Sequence, residues 1–263
     1  MNAVDLFQAG HLTEAIEAAV QEVKDQPGDL SRRTLLFSLL CFSGDLERAK
    51  KQLDVLGNQV AMSEAPAYAN LITAELARRR VLNEGQRPKF FGLPAPGLEA
   101  HLLAITRLAG RQFEEAKQLL DAAEDERPPL TGTCNGVPFD DFADADDITR
   151  SIFEFQQGSD YYWVSFGDII HLQVVLPDPV RPYDLYWAPC QIILKTGETQ
   201  RGFTPALYVN SYQCPASSLR LGHETQFRDH GHEVHRGTGR KQFVAGDADP
   251  TILDLKDVSF TPE

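Results

Sequence analysis

Gly10-His11-Leu12-Thr13-Glu14-Ala15 is answered by Gly44-Asp45-Leu46-Glu47-Arg48-Ala49, glycine to glycine 34 residues apart. That interval is the period of a helix-turn-helix repeat of the tetratricopeptide (TPR) kind. A looser copy, Gly110-Arg111-Gln112-Phe113-Glu114-Glu115-Ala116, carries one inserted residue. Glycine lets the chain turn tightly between antiparallel helices. The apolar residue beyond it anchors the second helix, and the alanine one turn later allows close approach. Leu46, Ala49, Leu53 and Leu56 then step by three and four, giving one buried stripe. Leu98, Leu102, Ile105 and Leu108 do the same before Gly110, and Phe113, Ala116, Leu119, Leu120 and Ala123 after it. With stop signals at Pro27-Gly28-Asp29 and Arg127-Pro128-Pro129, helices are expected at about 2–8, 12–25, 30–43, 45–57, 64–83, 97–109 and 112–124.

Two stretches interrupt this pattern. Arg78-Arg79-Arg80 is expected to be a solvated helix end. Arg87-Pro88-Lys89-Phe90-Phe91-Gly92-Leu93-Pro94-Ala95-Pro96-Gly97 breaks the array, and its adjacent phenylalanines either plug a groove or anchor a partner. Plugging is preferred.

After Pro129 short runs rich in Tyr, Trp, Val, Ile and Phe alternate with turn residues. Ser151–Phe155 and Tyr161–Val164 flank a hairpin turn. Ile169–Leu176, Gln191–Lys195, Thr199–Phe203, Ala206–Val209, Lys241–Ala245 and Ile252–Leu255 are further expected strands, with a second hairpin turn at Lys195-Thr196-Gly197-Glu198. Strands this short suggest a small barrel or bent sheet, filled or lined by Tyr161, Tyr162, Trp163, Tyr186 and Trp187. The expected fold is multidomain α and β: a TPR-like α-α superhelix over 1–129, then a mostly β, barrel-like domain over 130–263.

A net charge of -13 and a pI near 5 argue against nucleic acid, whose phosphates demand a basic face. The N-terminal MNAVDLFQAGHLTEA has neither the basic nor the apolar region of a secretory signal. No stretch approaches the roughly 18 uninterrupted apolar residues of a membrane span. Cys41, Cys134, Cys190 and Cys214 are too scattered for a disulfide framework. A cytoplasmic protein is expected.

Histidine offers the sharpest chemical possibility. His223, His230, His232 and His235 lie within thirteen residues, and imidazoles so spaced can converge on zinc. No H-E-x-x-H or C-x-x-C accompanies them, and their neighbours read as a solvated loop, so no metal centre is expected. A metal-dependent enzyme built on this cluster stands as the alternative function. Asp140, Asp141, Asp144, Asp146 and Asp147 suggest a calcium loop but lack its glycine and terminal glutamate. A helix cap or solvated acidic turn fits them better. Nucleophile elbows and phosphate-cradling glycine motifs are absent, and Cys214 sits in a Cys-Pro loop context. Neither catalysis nor a cofactor is expected.

Arg33–Leu56 resembles the signature stretch of the ImpE/TagJ (SciE-type) family. Further matches follow in order: Asn135–Phe139, Asp144–Asp147, Tyr161–Phe166, Pro205–Tyr208, Leu219–Gly222 and Leu253–Leu255. The resemblance implies an accessory protein of a bacterial type VI secretion system. Its partner would be the N-terminal helix of the small sheath subunit, with a link to the unfoldase that recycles contracted sheath. Helix-in-groove recognition would follow, and the acidic chain would favour a helix carrying Lys or Arg. Phe90, Phe91, Tyr162, Trp163 and Trp187 are the residues expected to meet that partner.

Overall fold

The structure is a computed structural model that describes residues 1–57, 65–95, 97–175 and 186–261. The expected helix start at residue 64, Pro96 and Leu176 lie outside the described residues. Among the described residues seven helices come first: α1 (Ala3–Gln8), α2 (Leu12–Asp25), α3 (Leu30–Phe42), α4 (Leu46–Gly57), α5 (Ala65–Glu84), α6 (Leu98–Ala109) and α7 (Phe113–Asp125). Each packs on the next in sequence. Local chemistry sets the starts: Asn2 and Asp5 form a capping box at α1, and the Asp29 carboxylate accepts from the Ser31 and Arg32 amides at α3. Leu46, Ala49, Leu53 and Leu56 are buried as their spacing requires. In α3, Leu35 to Phe42 are buried without a break, so this helix is central in the array.

The repeat glycines behave as turn formers, with one instructive exception. Gly10 (φ 81°) and Gly44 (φ 78°) are left-handed, and the next amide reaches five residues back, His11 to the Leu6 carbonyl and Asp45 to Leu40. In the third copy Gly110 stays right-handed, and Arg111 (φ 59°) takes the left-handed position while Gln112 bonds Arg107. The inserted residue has shifted the register, putting a side chain where glycine belongs.

Among the described residues twelve strands follow: β1 (Gly132–Cys134), β2 (Val137–Phe139), β3 (Phe142–Asp144), β4 (Ile152–Gln157), β5 (Asp160–Ser165), β6 (Ile169–Val174), β7 (Trp187–Leu194), β8 (Thr199–Pro205), β9 (Thr225–Asp229), β10 (His235–Gly239), β11 (Phe243–Ala245) and β12 (Val258–Phe260). A four-residue α8 (Ser217–Arg220) lies between β8 and β9. Eight strands make one antiparallel sheet in the order β2-β1-β12-β6-β7-β8-β4-β5. β9 pairs with β10 and β3 with β11 outside it. The sheet is not closed among the described residues, so the expected barrel does not appear in its pairing. Both expected hairpins, β4–β5 and β7–β8, form. Ala206–Val209 is not a strand but carries one bridge, Leu207 to Arg240, and Ile252–Asp254 is a 3-10 turn.

The sheet has its own core around Phe142, Phe155, Phe166, Phe243 and Ile192. Two further clusters are shared with the helices. Tyr186, Trp187, Leu207 and Leu221 join the array core, and Ile148, Ile152, Tyr161 and Trp163 pack with residues of α5, α6 and α7.

Candidate partner-docking cleft

The interrupting segment meets the free edge of β5 at Lys89. Lys89 donates its amide to the Tyr161 carbonyl and accepts from the Trp163 amide, both at 3.0 Å, adding a single parallel rung to that edge. Its ammonium reaches Asp160 at 2.7 Å. Phe91 then stacks on Tyr162 (centroids 4.4 Å, planes 6° apart) and meets Phe155 edge-on at 5.7 Å, while Phe90 packs against the core shared with α5, α6 and α7. Such a stack contributes about 0.5–1.5 kcal/mol beyond the area it buries. The Arg87 guanidinium sits 5.4 Å from the Phe90 ring and forks onto Glu99. The phenylalanine pair therefore plugs, as the sequence suggested.

Plugging leaves a cleft of about 300 Å³ lined by Phe90, Phe91, Leu93, Pro94, Leu98, Val164 and Leu194, with Asp168 and Lys195 at its polar side. Leu93 is 93% exposed beside it. An unpaired leucine over an apolar cleft is the kind of surface that another chain covers.

The residues expected to meet a partner separate. Phe90, Phe91 and Tyr162 are half-buried around segment 87–97. Trp163 and Trp187 are each 1% exposed; Trp187 is thereby withdrawn from any partner, whereas Trp163 still lines the wall of the cleft. Trp163 donates its indole N–H to the Tyr161 hydroxyl at 2.8 Å. Trp187 packs among Phe37, Tyr68 and Tyr186 in the array core.

Sequence patterns missed a buried ionic cluster that ties α5 to the sheet. Arg78, expected to be solvated, is 2% exposed. Its guanidinium forks onto Glu154 at 2.6 and 3.2 Å and donates to the Leu207 carbonyl at 2.9 Å. Lys241 bridges Glu154 (2.7 Å) and Asp144 (2.5 Å). The Tyr161 hydroxyl donates to Glu154 at 2.6 Å, and that of Tyr208 to Asp144 at 2.8 Å. Three carboxylates (Glu75, Asp144, Glu154) thus face three cations (Arg78, Arg79, Lys241). Burial alone would raise the Glu154 carboxyl, but the Arg78 and Lys241 charges override it and hold Glu154 well below the usual range. At Asp144 burial prevails over Lys241 and the carboxyl is raised.

Two members of the acidic run are therefore not solvated. Asp144 and Asp146 are buried, each accepts the amide two residues on, and Asp146 also holds Arg236 and the Gly237 amide. An enclosed acid, base and phenol could do proton chemistry, but the adjoining cavity lined by Glu75, Arg78 and Tyr208 measures about 10 Å³. That is about the room of one water. No substrate fits there, and the cluster acts as a tie between α5 and the sheet.

The histidines do not converge. His223 lies beside the α1–α2 turn, close to Gly10. His230 and His232 sit beyond the far end of β9, roughly 20 Å along an extended strand. His235 starts β10 and approaches Asp147 at 3.8 Å. The presumed loop is a β9–β10 hairpin turning through left-handed His232 and Glu233. Among the described residues no group of three or more His, Cys, Asp or Glu is placed to hold a metal ion. No helix of the described residues is long and apolar enough to cross a membrane.

Comparison with known proteins adds three findings. The family model described as ImpE protein matches residues 136–259. The type VI secretion system accessory component TagJ of Pseudomonas aeruginosa is 30% identical over 264 residues, spanning 100% of this chain and 92% of that protein. The crystal structure of protein VPA1032 from Vibrio parahaemolyticus superposes with a TM-score of 0.90 at 23% identity, covering 99% of this chain and 98% of that one. That likeness concerns the fold alone.

Proposed function

The chain belongs to the ImpE family, and on that premise we propose that it is a non-enzymatic adaptor of a bacterial type VI secretion system, acting in the cytoplasm. Its partner is the N-terminal helix of the small sheath subunit, and through it the adaptor links the sheath to the unfoldase that recycles it. Helical residues 1–129 and strand-rich residues 130–263 carry this role together. The observation that supports the reading is the apolar cleft of about 300 Å³ under exposed Leu93. Its lining of Phe, Leu, Pro and Val suits the apolar face of an amphipathic helix.

Calorimetric titration of the full chain with a peptide covering that helix tests the proposal. Saturable binding that disappears when the peptide's apolar anchors become Ala supports it. A folded protein that shows no heat of binding sinks it.

A further inference from the structure

Three depressions adjoin where α6 and α7 meet the sheet. The apolar cleft shares Ala95, Ser165, Asp168 and Lys195 with a second of about 270 Å³. That second one shares His101 with a third, of about 430 Å³. The character changes along this run. The first is apolar, the second mixes Leu130, Ala123 and Pro128 with charged groups, and the third is largely charged.

In the third, Asp121, Glu124, Asp147 and Glu233 face Lys117 and Arg150, four negative charges against two positive. Two of the four carboxylates are compensated: Asp121 pairs with Lys117, and Glu124 with Arg127 and Arg150. Asp147 has weaker company. It accepts the His235 amide at 2.7 Å and meets that imidazole at 3.8 Å, while Arg150 and Lys117 attract it only from beyond ion-pair distance. Burial and neighbouring Asp146 both disfavour its charge. Glu233 stands on the exposed hairpin turn and acts on Lys117 only at a distance. Between the second and third depressions lies His101, 4% exposed. The run thus carries an excess of carboxylates over cations at one end.

Resting on the adaptor reading above, we infer that the partner helix lies along this whole run, its apolar residues under Leu93 and a Lys or Arg seated between Asp147 and Glu233. A cation there offsets part of this negative excess, and the apolar cleft fixes which end of the helix faces it. The charged end then sets direction and selects among amphipathic helices that the apolar end would accept alike.

The test uses the full chain and the small-sheath-subunit peptide, titrated at low and moderate salt. D147N and E233Q together keep the shape of the site and remove two charges. About a tenfold loss of affinity is expected from them, with a weakened salt dependence. Replacing the peptide's basic residues with Gln should cost about the same in the wild type and little more in the double variant. Unaltered affinity and salt dependence in the double variant, with wild-type binding intact, would overturn this inference and leave the adaptor reading standing. Absence of binding to the wild type would end both. Circular dichroism of the double variant confirms that it is folded.

Discussion

His101 gives the molecule a pH-dependent stability that can be calculated in advance. Burial lowers this imidazole from its ordinary 6.5 to about 4, against the milder raising effects of the Ile148 backbone, Glu124 and Asp146. Its Nε2 pairs with the Ser151 hydroxyl at 3.0 Å, an arrangement satisfied by the neutral ring. Below pH 6.5 the unfolded chain takes up a proton at this residue that the folded chain refuses until about pH 4. Stability is therefore fully present above 6.5 and falls as the pH drops toward 4, by about 1.4 kcal/mol per unit. The loss reaches about 2 kcal/mol near pH 5 and about 3 kcal/mol in all. Urea denaturation at a series of pH values from about 7.5 to 5, on the wild type and on His101→Gln, measures it. The raised Asp144, Asp147 and Asp168 carboxyls push the other way, and the lowered His223 and His230 push the same way. Subtracting the two curves cancels all five. A difference that stays flat between pH 6.5 and 5 would refute the reasoning.

Three other perturbations follow from the geometry. Lys241→Met leaves Asp144 and Glu154 facing each other with one cation fewer and should cost about 3–5 kcal/mol in urea unfolding; a loss under 1 kcal/mol would mean that the carboxyls simply protonate at about that expense. Arg111→Gly should stabilise by roughly 0.5–1 kcal/mol, because the exposed Arg111 holds a left-handed conformation (φ 59°) that glycine adopts freely; calorimetric melting would show it as a rise of a few degrees. Gly44→Ala should do the reverse and by more than about 1 kcal/mol, since the left-handed backbone is joined by a new Cβ 2.2 Å from the Tyr212 ring. The same melting experiment checks it, and an unchanged Tm would show that Tyr212 moves aside freely.

How much of this was legible depended on how far apart in the chain the cooperating residues lie. The helices were found to within a residue or so because Leu46, Ala49, Leu53 and Leu56 declare a period of 3.6 within one window. The β4–β5 and β7–β8 hairpins were equally local. By contrast, Arg78 meets Glu154 across 76 residues, and Lys241 meets Glu154 across 87. No window holds both partners, so the arginine run and the acidic run each resembled solvated surface. β9 and β10 escaped notice because Thr225–Asp229 and His235–Gly239 form an outlying, half-exposed hairpin with no apolar alternation. Ala206–Val209 looks like a strand because it is apolar, yet its residues divide among three cores, Ala206 in that of the sheet and Leu207 and Val209 in the two shared with the helices. As for the cleft, Phe90 and Phe91 marked its place in the sequence, but Trp187 offered the same signal and is buried in the array core.

The tie between α5 and the sheet also bears on the order in which the protein is made. Arg78 leaves the ribosome well before Glu154 and long before Lys241. Until both strand-rich partners arrive, α5 carries two ionic side chains, Glu75 and Arg78, on the face destined for the deepest part of the molecule. That face also bears Val81 and Leu82, and the array core still lacks Trp187 and Leu207. Local helix pairs can close during synthesis, because each rests on its neighbour in sequence. The charges on α5 keep the waiting surface wet, which discourages the half-made array from sealing onto itself or onto another nascent chain. Completion is thereby postponed to the last third of translation, when Lys241 supplies the cation that joins Asp144 to Glu154.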